Sequence, residues 1–131
     1  ALDAYVMAAL YPTEEGAKNA YSMMAGSGED VNPRIVQGFV ERMQLPNAKM
    51  AFMSTLLGLK NAKDISENLK RISSKTLLIW GEQDPVIPIK YADTFSSAIQ
   101  NCKFQIMETS GHTPYVDNPE GFAKIVMDFL K

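Results

Sequence analysis

The sequence predicts an α/β fold of two parallel strands with flanking helices, preceded by a helical region. Three observations predict it. Up to about residue 73, every periodic apolar segment recurs at helical spacing. After that point, residues 76–80 (TLLIW) and 103–107 (KFQIM) read as strands, with a helical pattern between them. A strand–helix–strand unit of this length implies a parallel pair joined by a right-handed crossover. The division assigns residues 1–72 to one region and 73–131 to the other.

In the first region Leu2, Val6 and Leu10 recur at spacing four. Pro12 interrupts, and Thr13 caps a second helix with Glu14 and Glu15 in its first turn. Ala17, Ala20, Tyr21 and Met24 continue that helix, and Gly26 ends it. A loop, GSGEDVNP, follows. Asn32 before Pro33 starts a third helix, since Asn caps and Pro fits the first helical position. Its stripe is Ile35, Val36, Phe39, Val40 and Met43, and Pro46 stops it. Asn47 is placed to cap a fourth helix with Met50, Met53, Leu56 and Leu57 on one face. Asp64 is placed to cap a short fifth helix carrying Ile65, Leu69 and Ile72.

In the second region the run 76–80 is continuously apolar, which suits a strand buried on both faces. Pro88 opens a helix with Ala92, Phe95 and Ile99 inward. Asn118 and Pro119 start a final helix with Phe122, Ile125, Val126, Phe129 and Leu130 on one stripe. Two parallel strands do not make a self-sufficient sheet, because their edges are unpaired and their faces half covered. The region therefore demands a strand partner beyond itself: a missing N-terminal half, or another copy of the chain.

Composition narrows the function. At 46% hydrophobic and 21% charged the chain is globular rather than disordered. With a net charge of -2 and no basic stripe, nucleic acid is not an expected partner. No apolar run approaches a membrane span. A single cysteine, Cys102, excludes an internal disulfide and fits a reducing, cytoplasmic compartment. With one Cys and one His a zinc site is not expected. The chain opens at Ala1 directly in a helical pattern, without a signal-peptide core, as a processed or cut end does.

Functional residues of open α/β sheets gather beyond the carboxyl ends of the strands. After the first strand comes GEQD, ending at Asp84, and after the second METSGHTPY, with the sole histidine, His112. Parallel strands deliver both to one sheet edge. A carboxylate there fixes the tautomer of an imidazole, which then serves as general base toward a nucleophile. Asp84 before Pro85 equally fits a turn terminator or a cap of the following helix.

TLLIWGEQDPVIP followed by SGHTPYVDNPEGFAKIVMDFL resembles the C-terminal end of the α/β-hydrolase fold family. The shared features are the strand ending in Gly-x-x-Asp, the Gly-His-x-Pro turn, the Asn-Pro-Glu-x-Phe helix start and the terminal amphipathic helix. Residues 1–72 resemble the helical cap that the family inserts before the acid-bearing strand. The resemblance implies Asp84 as triad acid and His112 as triad base, in the family's chain order. It implies Val86 and Thr113 as substrate-contacting neighbours, a small apolar ester-like or acyl substrate, and no cofactor or metal. The family's Gly-x-Ser-x-Gly elbow has no counterpart in the sequence. The nearest string is AGSGED, where Ser27 follows a helix and reads as loop. The expectation is therefore the cap and C-terminal core of a hydrolase whose nucleophile lies outside the chain.

Other residues invite plainer readings. Glu82 is a rival acid, but lies nearer the strand end and out of register with the motif. Trp80 reads as core, and Met43, Met50 and Met53 as packing surface or an acyl-pocket lining. Lys60, Lys63, Lys70 and Arg71 read as solvated helix faces. The competing function is a non-catalytic binding or interaction module of the same fold. Absence of a nucleophile motif suits it, and retention of Asp84 and His112 in matching contexts opposes it.

Overall fold

The computed structural model describes residues 2–26, 31–59 and 61–131, so Ser27 and Lys60 lie outside the described residues. The described residues divide into two compact units, residues 2–23 with 31–59 and 61–63, and residues 24–26 with 64–131.

The first unit contains helices α1 (Leu2–Leu10), α2 (Glu14–Met24) except its last residue, Met24, which belongs to the second unit, α3 (Pro33–Met43) and α4 (Ala48–Leu59). Thr13 caps α2 by accepting the Gly16 N–H at 3.1 Å, and Asn32 caps α3 by accepting the Arg34 N–H at 2.9 Å. Asn47 precedes α4 in a left-handed conformation, φ 64°, and contributes its carbonyl to the Ala51 N–H at 2.9 Å. Each helix contributes one ring to an aromatic cluster. Tyr5 lies 6.3 Å from Tyr21, 5.4 Å from Phe39 and 5.8 Å from Phe52 between ring centroids. Such pairs contribute about 0.5–1.5 kcal/mol beyond their buried area. On α1 and α2 the small side chains Ala8, Ala9, Ala17 and Ala20 are buried.

One helix face differs from the expectation. Phe52, Met53 and Leu56 form the half-buried side of α4, while Met50 and Leu57 are exposed. The Phe52 contact with Tyr5 sets the rotation of α4, and that contact is between helices, outside the reach of periodicity within one helix.

The second unit contains α5 (Ser66–Leu69), β1 (Thr76–Gly81), α6 (Ala92–Ala98), β2 (Cys102–Met107), α7 (Pro114–Asp117) and α8 (Pro119–Leu130). Asp64 accepts the Ser66 N–H at 2.8 Å and its hydroxyl at 2.6 Å. The hydroxyl first and then the N–H hold the Asp64 carboxyl below its ordinary range. The strands pair in parallel, with Thr76 opposite Cys102 and Gly81 opposite Met107. Among the described residues no third strand pairs with them. Accordingly Thr76–Trp80 are half-buried rather than covered on both faces.

Pro88 leads first into a 3-10 turn, Ile89–Tyr91, which then runs into α6. Ala92 and Ile99 are buried. Asn118 caps α8 by accepting the Gly121 N–H at 2.9 Å. On α8, Phe122, Ile125, Val126 and Phe129 are half-buried, and Leu130 is exposed. The Lys75 ammonium closes the far end of α8, donating to the Phe129 carbonyl at 2.8 Å and standing 4.5 Å from that ring's centroid. No helix among the described residues is long and apolar enough to cross a membrane.

Candidate active site

β1 and β2 end level with each other, and the loops beyond them are stitched together by the backbone. The Glu82 N–H donates to the Met107 carbonyl at 3.0 Å, and the Gln83 N–H to the Ser110 carbonyl at 2.9 Å. Only glycine permits this approach. A Cβ on Gly81 would stand 2.0 Å from the Gly111 carbonyl oxygen, and one on Gly111 would stand 2.1 Å from the Met24 carbonyl oxygen. Three backbone segments thus lie against one another: the end of β1, the turn after β2, and the residues after α2.

This stacking brings Asp84 to His112. Asp84 Oδ2 lies 2.9 Å from His112 Nδ1. Asp84 Oδ1 accepts the N–H groups of Val86 at 2.8 Å and Ile87 at 2.9 Å. The acid side chain is 7% exposed and the histidine 32%. A carboxylate at Nδ1 selects the tautomer that carries its proton there, leaving the Nε2 lone pair as acceptor. Nε2 is engaged by none of the described residues. The pair has the form of an oriented general base with a shielded orienting acid.

Val86 is half-buried, and its N–H belongs to the Asp84 turn. Thr113 is only 8% exposed. Its carbonyl starts α7 by accepting the Val116 N–H at 2.7 Å, and its hydroxyl is buried without a hydrogen-bond partner among the described residues. Glu82 is exposed.

Two contributors have no strong sequence signal. Trp80 Nε1 donates to the Ile87 carbonyl at 3.0 Å, pinning the outer limb of the Asp84 loop while its half-buried ring packs 5.9 Å from Phe95. Asp117 accepts the Gly111 N–H at 2.6 Å. Within DNP it reads only as the approach to a helix start, and the four-residue helix α7 is too short for a periodic pattern to reveal.

The alpha/beta hydrolase fold family matches residues 4–119. Monoacylglycerol lipase ABHD6 of Homo sapiens is 31% identical over 101 residues, covering 76% of this chain and 30% of the relative. Pimeloyl-[acyl-carrier protein] methyl ester esterase of Yersinia enterocolitica is 30% identical over 98 residues, covering 75% of this chain and 37% of the relative. Among solved structures, the serine hydrolase involved in carbazole degradation (CarC enzyme) superposes with a TM-score of 0.83 at 21% identity. That match covers 90% of this chain and 47% of the other. The chain thus spans about a third of these curated relatives and just under half of this structural neighbour.

Proposed function

Because the chain belongs to the alpha/beta hydrolase fold family, we propose that it supplies the acid and base of a catalytic triad, Asp84 and His112, to a hydrolase acting on an ester or related carbonyl substrate. The observation that carries this reading is the 2.9 Å contact between Asp84 Oδ2 and His112 Nδ1 at the carboxyl ends of two parallel strands. The nucleophile, a serine on a strand–helix elbow, lies outside the 131 residues, which contain no Gly-x-Ser-x-Gly. Residues 1–72 act as the cap and residues 73–131 as the C-terminal core. The similarity to a monoacylglycerol lipase and a methyl ester esterase supports an acyl ester substrate.

The chemistry follows from the tautomer. His112 Nε2 takes the serine proton as the serine oxygen attacks the carbonyl carbon. The imidazolium that forms is held by the Asp84 carboxylate. Nε2 then returns the proton to the departing alkoxide as the acyl–enzyme bond is completed. Water, activated by the same nitrogen, releases the acid and restores the serine. Asp84 remains ionised throughout.

The test is hydrolysis of a graded series of acyl esters by the protein that joins this chain to a nucleophile-bearing segment. His112→Ala is expected to lower kcat by several orders of magnitude while the folded spectrum is retained. Unchanged turnover in His112→Ala excludes the triad role and leaves a non-catalytic interaction module as the reading.

A further inference from the structure

The Asp84–His112 contact requires the histidine backbone to be held as firmly as its ring, and no side chain on β2 does that. The turn runs from Met107 to His112 and passes through Thr109 at φ 59°, a left-handed conformation that residues other than glycine rarely adopt. Gly111, immediately before the histidine, contributes no side chain to anchor it. Its position is fixed instead from the far side. Asp117 Oδ2 accepts the Gly111 N–H at 2.6 Å and the Gly26 N–H at 3.3 Å, while the Met24 carbonyl accepts the His112 N–H at 2.8 Å.

Asp117 is not explained by the helix that carries it. It is the last residue of α7, a single turn of four residues in which an acid meets no helix-dipole preference that accounts for it. Its half-buried side chain makes no ion pair among the described residues, and its hydrogen-bond partners among them are the two backbone N–H groups. A charged acceptor binds such donors more strongly than a neutral one. One of those donors belongs to the residue next to His112. The other belongs to the segment lying directly beneath it.

We propose that Asp117 is a positioning residue for His112: its carboxylate clamps Gly111 to Gly26 and so holds the histidine turn where Nδ1 reaches Asp84. The consequence for turnover rests on the triad reading above, whereas the consequence for ring geometry does not.

His112 is the only histidine, so its ring nitrogens and protons give unambiguous NMR signals in the full chain. In Asp117→Asn, which keeps the shape but lowers acceptor strength, the Nδ1 proton resonance is expected to move toward its position in Asp84→Asn. The amide spectrum away from residues 24–26 and 108–117 should stay in place. Asp117→Glu, which keeps the charge, is expected to restore part of the shift.

In the assembled enzyme, Asp117→Asn should lower kcat on the order of tenfold to a hundredfold with KM unchanged, the scale of a small misplacement of a reacting group. Ring signals identical to wild type in both Asp117→Asn and Asp117→Ala would overturn the proposal. So would general loss of amide dispersion in Asp117→Asn, which marks a scaffold role only. Should His112→Ala retain full turnover while the Asp117 variants still shift the Nδ1 proton, the catalytic reading falls and the clamp stands.

Discussion

The carboxylate of Asp84 performs two tasks at once: Oδ2 meets His112 Nδ1 at 2.9 Å, while Oδ1 closes its own loop by accepting the N–H groups of Val86 and Ile87. Oδ1 also stands 3.2 Å from Nδ1, so one side chain both closes the turn and meets the ring, with Oδ2 the nearer oxygen. The loop bonds fix the rotation of the carboxylate, so the oxygen offered to the ring is not free to swing away. At 7% exposure the acid is shielded from water that would weaken its hold on the imidazole.

The two tasks separate in two variants. Asp84→Asn retains an oxygen for the Val86 and Ile87 N–H groups, so its thermal midpoint should stay close to wild type. It loses the ionised acceptor for Nδ1–H, and turnover in the assembled enzyme should fall on the order of 10⁴-fold, as when a triad carboxylate is replaced by its amide. Asp84→Ala loses the loop bonds as well and should be less stable by about 1–2 kcal/mol, the scale of losing a capping side chain. Equal stability of the two variants in urea denaturation would show that the loop bonds contribute nothing.

The glycines give a contrast in sign. Gly81→Ala places a methyl 2.0 Å from the Gly111 carbonyl oxygen and 2.5 Å from the Ser110 carbonyl oxygen, backbone atoms that cannot swing aside as a flexible side chain does. A cost of about 3 kcal/mol or more is expected from overpacking at such a site. At Gly58 in α4 an added Cβ meets nothing within 4 Å. Gly58→Ala should therefore stabilise by about 0.5–1 kcal/mol, the helical cost of glycine relative to alanine. Denaturation midpoints that move the same way in both variants contradict the backbone stacking.

The parts of this architecture that the sequence discloses are those set by local chemistry. The apolar runs at 76–80 and 103–107 became β1 and β2 within a residue at either end, and the Asn-Pro pairs opened α3 and α8. Asp84 and His112 were placed at one edge because parallel strands share a carboxyl end. What stayed hidden depends on contacts distant in sequence. The inward face of α4 is chosen by Phe52 meeting Tyr5, 47 positions away. Asp117 reaches Gly26 across 91 positions, and no periodicity within DNP announces it. The half-burial of β1 has a similar origin, since an apolar run reports how much cover a strand requires and not whether the chain itself supplies it.

Thr113 offers a third test. Its hydroxyl is buried with no hydrogen-bond partner among the described residues, and an unsatisfied buried polar group costs about 1–3 kcal/mol. Thr113→Val keeps the shape and removes the hydroxyl, so this chain should become more stable, by about 1 kcal/mol in urea. A loss of stability of that size instead would mean that the hydroxyl is bonded. If the hydroxyl serves the substrate in the assembled enzyme, Thr113→Val should raise KM there while stabilising the isolated chain.

The last prediction concerns the 131 residues by themselves. The 131-residue chain is expected to hydrolyse p-nitrophenyl acetate no faster than its own His112→Ala variant, within about twofold. A triad acts as a unit of nucleophile, base and oxyanion donors, and removing a single member removes most of its effect. Here the residues proposed as base and orienter, His112 and Asp84, stand 2.9 Å apart, while Nε2 meets no hydroxyl among the described residues. An imidazole that is one-third exposed still assists water weakly, which is why the variant rather than buffer is the proper reference. Addition of a separately produced segment bearing the serine elbow should generate turnover that His112→Ala abolishes. If the chain alone already turns over ester, with a burst of product and full dependence on His112, then a nucleophile resides within these residues. The assignment of that role to a segment outside them must then be given up.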